Sequence, residues 1–160
     1  MTTSDSLFPG KQFISTVLEA LDTKTAMSGS LTRRYLQRAA MAGIIIGLLY
    51  GANFGIIAAF DAVEVGGGTL STLGRIVGAL VFGWALVFIY YSKSELLTSN
   101  MMIVTIGVYH RRARVREALR LLGLCFLGNA LGGLFMAVLM RFSTLTDGAT
   151  GEQMTIAVEH

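Results

Sequence analysis

Two long runs without a charged residue constrain this chain more than any other feature. Ala39–Phe60 is 22 residues with Asn53 as its only strongly polar member, and Leu121–Met140 is 20 residues. The hydrocarbon core of a bilayer is about 30 Å thick, and a helix needs about 20 apolar residues to cross it. A soluble domain of 160 residues buries a core without such runs. Both therefore read as transmembrane helices, the alternative being core helices of a large soluble protein. Composition agrees: 53% of residues are hydrophobic and 14% charged, with a mean hydropathy of +0.62.

A third apolar region is interrupted. Ile76–Tyr91 and Met101–Tyr109 carry no charge, but Lys93-Ser94-Glu95-Leu96-Leu97-Thr98-Ser99-Asn100 lies between them. Each piece is short for a bilayer, so the two read as one span broken at 93–100. Irregular backbone at membrane depth persists only where protein buries it or where it lines a wet cavity. Broken helices of this kind mark binding sites in transporters.

The remaining segments give orientation. Residues 1–11 read as loosely held, and the start MTTSDSLFPG has no basic start followed by an apolar run, so it is not a secretory signal. Phe13, Ile14, Val17, Leu18 and Leu21 share one face of an amphipathic helix of about three turns, either an ordinary surface helix or one that lies on the membrane or packs against the mouth of a bundle. Arg33, Arg34 and Arg38 precede the first span; Arg111, Arg112, Arg114 and Arg116 follow the broken one. The positive-inside rule puts both clusters, and the N-terminus, in the cytoplasm. The net charge of +3 is thus a membrane signal, not a nucleic-acid one. Asp61–Thr72 reads as a flexible acidic connector and Phe142–Glu152 as an outer loop turning at Asp147-Gly148. The expected organisation is a cytoplasmic segment at 1–32 and a membrane domain at 33–160. Its spans lie at about 36–60, 74–109 and 118–141, and a fourth starts at 153–160. The fold class is all-α: a polytopic helical bundle in the inner (plasma) membrane.

Gly43, Gly47, Gly51 and Gly55 recur every fourth residue and form a smooth stripe for a neighbouring backbone, within the chain or between subunits. Gly74 and Gly78, and Gly123, Gly128, Gly132 and Gly133, offer further small faces. Asn53 and Asn129 read as interhelical hydrogen-bonding amides. Cys125 reads as a small buried apolar residue. There is no nucleophile–base–acid set, no metal-ligand cluster and no phosphate loop, so neither cofactor nor catalytic residue is expected. In the break, Thr98 and Ser99 offer hydroxyls, and a helix resuming near Ser99–Met101 would aim free N–H groups at a small anion. Glu95 reads as a cap or an anchor holding the loop. Lys93, costing about 3 kcal/mol at a helix centre, is expected to pair with Glu95, to line a vestibule in contact with an ion, or to snorkel.

Glu95-Leu96-Leu97-Thr98-Ser99-Asn100, followed some thirty residues later by Phe126-Leu127-Gly128-Asn129-Ala130-Leu131-Gly132, resembles the formate–nitrite transporter family. The intervening basic loop and the Val158-Glu159-His160 ending are also similar. The resemblance implies a homopentamer of aquaporin-like protomers of six spans, each with its own pore for formate, nitrite or hydrosulfide. It implies that Thr98 stands beside the pore, that Phe82 and Leu86 form an apolar constriction, and that Leu97 replaces a common phenylalanine. Lys93 falls where a small residue is expected, and Asn100 helps to hold the loop. The family's second, inverted half would begin near residue 152, so the pore histidine and vestibule lysine are expected outside this sequence. Two other readings stay open: a non-conducting assembly protein that uses its glycine faces, and a membrane-embedded enzyme subunit.

Overall fold

The computed structural model describes residues 9–65, 68–143 and 148–159. Among these residues six helices carry the fold: α1 (Pro9–Ser30), α2 (Thr32–Asp61), α3 (Ser71–Tyr91), α4 (Leu97–Tyr109), α5 (Val115–Phe142) and α6 (Ala149–Glu159). The chain is an all-α polytopic membrane protein. Among the described residues, three helices are long and apolar enough to cross a bilayer: α2 with 30 residues, α3 with 21 and α5 with 28. A small antiparallel hairpin, β1 (Glu64–Val65) with β2 (Gly68–Thr69), joins α2 to α3.

α2 is the mast against which the others stand, and glycines set how close they come. A Cβ on Gly43 would strike the Asn129 backbone of α5, and one on Gly132 would strike the Ala40 carbonyl of α2. Gly47 faces Met136 and Gly51 faces Met140, so α2 and α5 run parallel at near backbone contact. α3 returns antiparallel along another side of α2. Gly74 packs on Phe60, Gly78 packs on Asn53, and the Glu95 N–H reaches the Arg38 carbonyl at 3.1 Å. α4 continues in the same sense: Leu97 meets Asn129 and Asn100 meets Cys125 on α5, before Gly107 packs on Leu21 of α1. The buried core at this end joins Val17 and Leu21 of α1 with Tyr35 and Ala39 of α2, Ile103 and Val104 of α4, and Leu121 and Cys125 of α5.

Several sequence expectations need correction. The helix begun at Pro9, where a missing N–H costs nothing, runs 22 residues, not three turns. Of the loosely held segment 1–11, residues 1–8 lie outside the described residues and the rest is helix. α3 begins at Ser71 and takes in Arg75, so it is long enough to span alone. The break is narrower, 92–96, because the helix resumes at Leu97; Leu97, Thr98, Ser99 and Asn100 are helical. The connector after Asp61 folds into the hairpin rather than staying irregular. The outer loop is shorter than 142–152, since α6 starts at Ala149; Gly148 has φ +95°, while Asp147, like His160, lies outside the described residues. On the glycine stripe, a Cβ on Gly55 would meet nothing, nor would one on Gly123 or Gly133.

Gly132→Ala should destabilise the protein by about 1–3 kcal/mol, the usual cost of overpacking. Gly55→Ala should be neutral or stabilise by up to about 1 kcal/mol through helix propensity. Thermal unfolding in detergent, followed by circular dichroism, compares the two.

Candidate functional site

The break is made by a specific stop. The Ser92 N–H still bonds the Phe88 carbonyl at 2.9 Å, and then Lys93 turns left-handed at φ 52°. The Lys93 N–H bonds Tyr90 at 3.1 Å and the Ser94 N–H bonds Ile89 at 3.0 Å. That pair of bonds is the Schellman pattern, whose left-handed position normally holds glycine. α4 ends the same way: Arg111 has φ 56°, with Arg111 bonded to Val108 at 3.0 Å and Arg112 to Gly107 at 2.9 Å. A basic residue at each stop suits the negative end of the helix dipole. The small residue expected at 93 thus has a conformational reason, which Lys93 meets with strain instead.

Glu95 organises the rest of the break. Its side chain is 2% exposed. The carboxylate is met by Lys24 of α1 on Oε2 and by Arg38 of α2 on Oε1 at 3.4 Å. Asn100 Nδ2 of α4 adds a hydrogen bond to Oε2 at 3.2 Å. The Glu95 carbonyl accepts from Asn129 Nδ2 at 2.8 Å and from the Cys125 thiol at 3.4 Å. Arg38 Nε also donates to the Lys93 carbonyl at 2.7 Å. Lys93 therefore shapes the loop through its backbone, and its exposed side chain is not the ion partner of Glu95.

Asn129 ties three elements. Its Nδ2 also donates to the Ala39 carbonyl at 2.9 Å, while its Oδ1 accepts the Leu97 N–H at 3.0 Å. The latter caps the first free N–H of α4. Asn100 is fully buried; its Nδ2 reaches Tyr35 Oη at 2.9 Å and Cys125 Sγ at 3.2 Å as well as Glu95, and its Oδ1 has no partner. Turned over, the amide would face the carboxylate with another acceptor, so the charge of Glu95 fixes the orientation.

What remains open is the next part of the α4 terminus. The Asn100 N–H bonds the Leu96 carbonyl at 3.1 Å, leaving the Thr98 and Ser99 N–H groups without helical acceptors. Both side chains are exposed; Ser99 Oγ bonds back to the Leu96 carbonyl at 2.9 Å. Phe82 and Leu86 stand apart from this web on α3, 36% and 63% exposed. Phe82 packs edge-on against Tyr50 of α2, ring centroids 6.1 Å apart. Lys24, Tyr35, Arg38 and Cys125 all join the site without having been singled out for it. The available signal was chemical: a carboxylate placed among apolar residues demands cations.

A broken helix cradled by an amide, an acid and two cations defines a membrane protein with a built interruption in one span. The formate/nitrite transporter family model matches residues 11–160, and the chain belongs to that family. It is 31% identical over 121 residues to an uncharacterized transporter, YrhG, of Bacillus subtilis strain 168, covering 72% of this chain and 44% of that protein. It is 34% identical over 80 residues to the formate channel FocA of Haemophilus influenzae, covering 50% of this chain and 28% of that one. The chain thus spans less than half the length of either relative. No solved structure matches it.

Glu95→Gln should destabilise the protein by up to about 3 kcal/mol, chiefly because the mostly buried Lys24 loses its counter-charge; solvent screens the loss at Arg38, whose side chain is 36% exposed. Lys24→Met with Glu95→Gln should recover part of that loss, which a double-mutant cycle on thermal unfolding measures. Lys93→Gly should raise stability by about 1 kcal/mol by relieving the left-handed strain; equal or lower stability in the same assay would count against strain at that position.

Proposed function

We propose that this chain lines part of a pathway for small monovalent anions such as formate, nitrite or hydrosulfide. The proposed assembly is a homopentamer of aquaporin-like protomers in the inner (plasma) membrane, with the N-terminus cytoplasmic. The observation that carries this reading is the exposed N-terminus of α4, where the Thr98 and Ser99 amides have no helical acceptor. Helix N-termini favour negative charge and present N–H donors to it. Thr98 adds a hydroxyl that adapts to donor or acceptor. Leu97 starts the same turn with its own N–H occupied by Asn129. Glu95, Lys93 and Asn100 hold the shape of the loop rather than touch the anion.

Phe82 and Leu86 present apolar side chains outward from the break on α3. A ring of such residues resists a hydrated ion and admits one that sheds water for donors further on. The proposed sequence is partial dehydration past Phe82 and Leu86, then stabilisation at Thr98. The two arginine clusters on the proposed cytoplasmic side would raise local anion concentration. The assembly reading loses its main support: Gly43, Gly47 and Gly51 are occupied by α5 of the same chain. No group among the described residues suits enzyme chemistry better than this role.

Uptake of labelled formate and nitrite into proteoliposomes containing the full-length gene product tests the reading. Thr98→Ala should lower uptake by about tenfold or more, the effect of losing one hydrogen bond to a charge. Thr98→Ser should retain most of it. Uptake independent of Thr98 would remove the α4 terminus from the pathway.

A further inference from the structure

Two open clefts adjoin on the outer side of the α1–α2 junction, and Arg34 and Gln37 line both. One, of about 470 Å³, adds Arg33 and the hydroxyl residues Ser30 and Thr32. The other, of about 540 Å³, is lined by the apolar Met27, Leu31 and Met41 together with Arg38, Ser92 and Ser94. Among the described residues no acidic side chain lines either cleft. The arginines differ in commitment. Arg38 is engaged by Glu95 and the Lys93 carbonyl. Arg33 and Arg34 are exposed and form no ion pair with the described residues.

Position adds to this. Arg34 lies five residues before Ala39, about 7.5 Å along the helix from the start of the charge-free run. Ser92 directly follows Tyr90 and Tyr91, which are each 78% exposed and pack edge-on with each other. Exposed tyrosines at the end of a membrane helix sit at headgroup level. The hydroxyls of Ser30 and Thr32 already donate to the Ala26 and Ser28 carbonyls, so the site pairs two guanidinium groups free of ion pairs with an apolar surface at the depth where phosphate gives way to acyl chain.

We propose that this double cleft is a binding site for one anionic phospholipid, its phosphodiester held by Arg33 and Arg34 and its upper acyl chain laid over Met27, Leu31 and Met41. Guanidinium groups grip phosphate oxygens in a fixed two-point geometry that ammonium groups do not reproduce. Basic pockets between membrane helices recognise anionic headgroups on the same grounds. The site is separate from the α4 terminus and stands whether or not that terminus carries anions.

Native mass spectrometry of the protein in mild detergent, titrated with phosphatidylglycerol or with phosphatidylcholine of equal chain length, tests the proposal. One phosphatidylglycerol per chain should be retained at concentrations where phosphatidylcholine is not. Arg33→Gln with Arg34→Gln should weaken that retention at least tenfold; Arg33→Lys with Arg34→Lys should weaken it less. Arg75→Gln, at the start of α3, should leave it unchanged, and inorganic phosphate should not displace the lipid. Equal retention of the two lipids, or unchanged retention in the glutamine variant, would overturn the proposal. Displacement by inorganic phosphate would overturn it too, by reducing the site to a simple anion patch. Circular dichroism of each variant confirms that the fold survives these exposed substitutions.

Discussion

A carboxylate removed from water has to be answered by charge and hydrogen bonds, and the answer at Glu95 draws in four helices. Isolated burial of such a group is prohibitively costly, while a well-surrounded one is tolerable. α1 supplies Lys24, α2 supplies Arg38, α4 supplies Asn100, and α5 holds the main chain of the same residue through Asn129 and Cys125. The ends of the break are held by the same web. Arg38 grips the Lys93 carbonyl on one side, and Asn129 caps the Leu97 N–H on the other. The irregular segment is therefore a fixed shape, which is the condition for presenting unpaired amides at a constant place.

The depth of that segment follows from the helices beside it. The break is level with Arg38 and Ala39 of α2, where the charge-free run begins, and with Asn129, midway along α5. Twenty-two residues of α2 rise about 33 Å beyond it. The interruption thus sits toward one end of α2 rather than halfway along it. α3 crosses most of the apolar distance intact, and α4 carries the chain on among α1, α2 and α5. The close approach of α2 and α5 through Gly43 and Gly132 brings Asn129 within reach of both the Ala39 and Glu95 carbonyls.

Hydropathy made α2, α5 and the interruption readable in advance, and small-residue spacing the smooth faces of α2, α3 and α5, but α3 read as too short to span because its first residues, with Arg75, were left out of the run. Asn129 was readable as an interhelical amide because a lone carboxamide among apolar residues has few other uses. The limits of the interruption were not, because Leu97-Thr98-Ser99 serves equally as a cap region or as the first helical turn. The partners of Glu95 were harder still. Lys24 is 71 positions away in sequence, and no periodicity links the two. The nearer Lys93 was the obvious candidate, but its left-handed backbone closes α3 and leaves the side chain outside. Tyr35 and Cys125 gave no polar signal, since an aromatic ring and a thiol are equally at home in an apolar core.

The order in which a ribosome releases these elements gives the Glu95 web a history. Lys24 and Arg38 precede in the chain the acid that neutralises them. α3 can then enter the bilayer as a complete hairpin with α2, while Glu95 stays near the aqueous boundary. Only the arrival of α5, bringing Asn129 and Cys125, closes the last side of the acid's surroundings. The surroundings of the acid are therefore complete only once α5, the last of the contributing helices in chain order, has joined α1, α2 and α4.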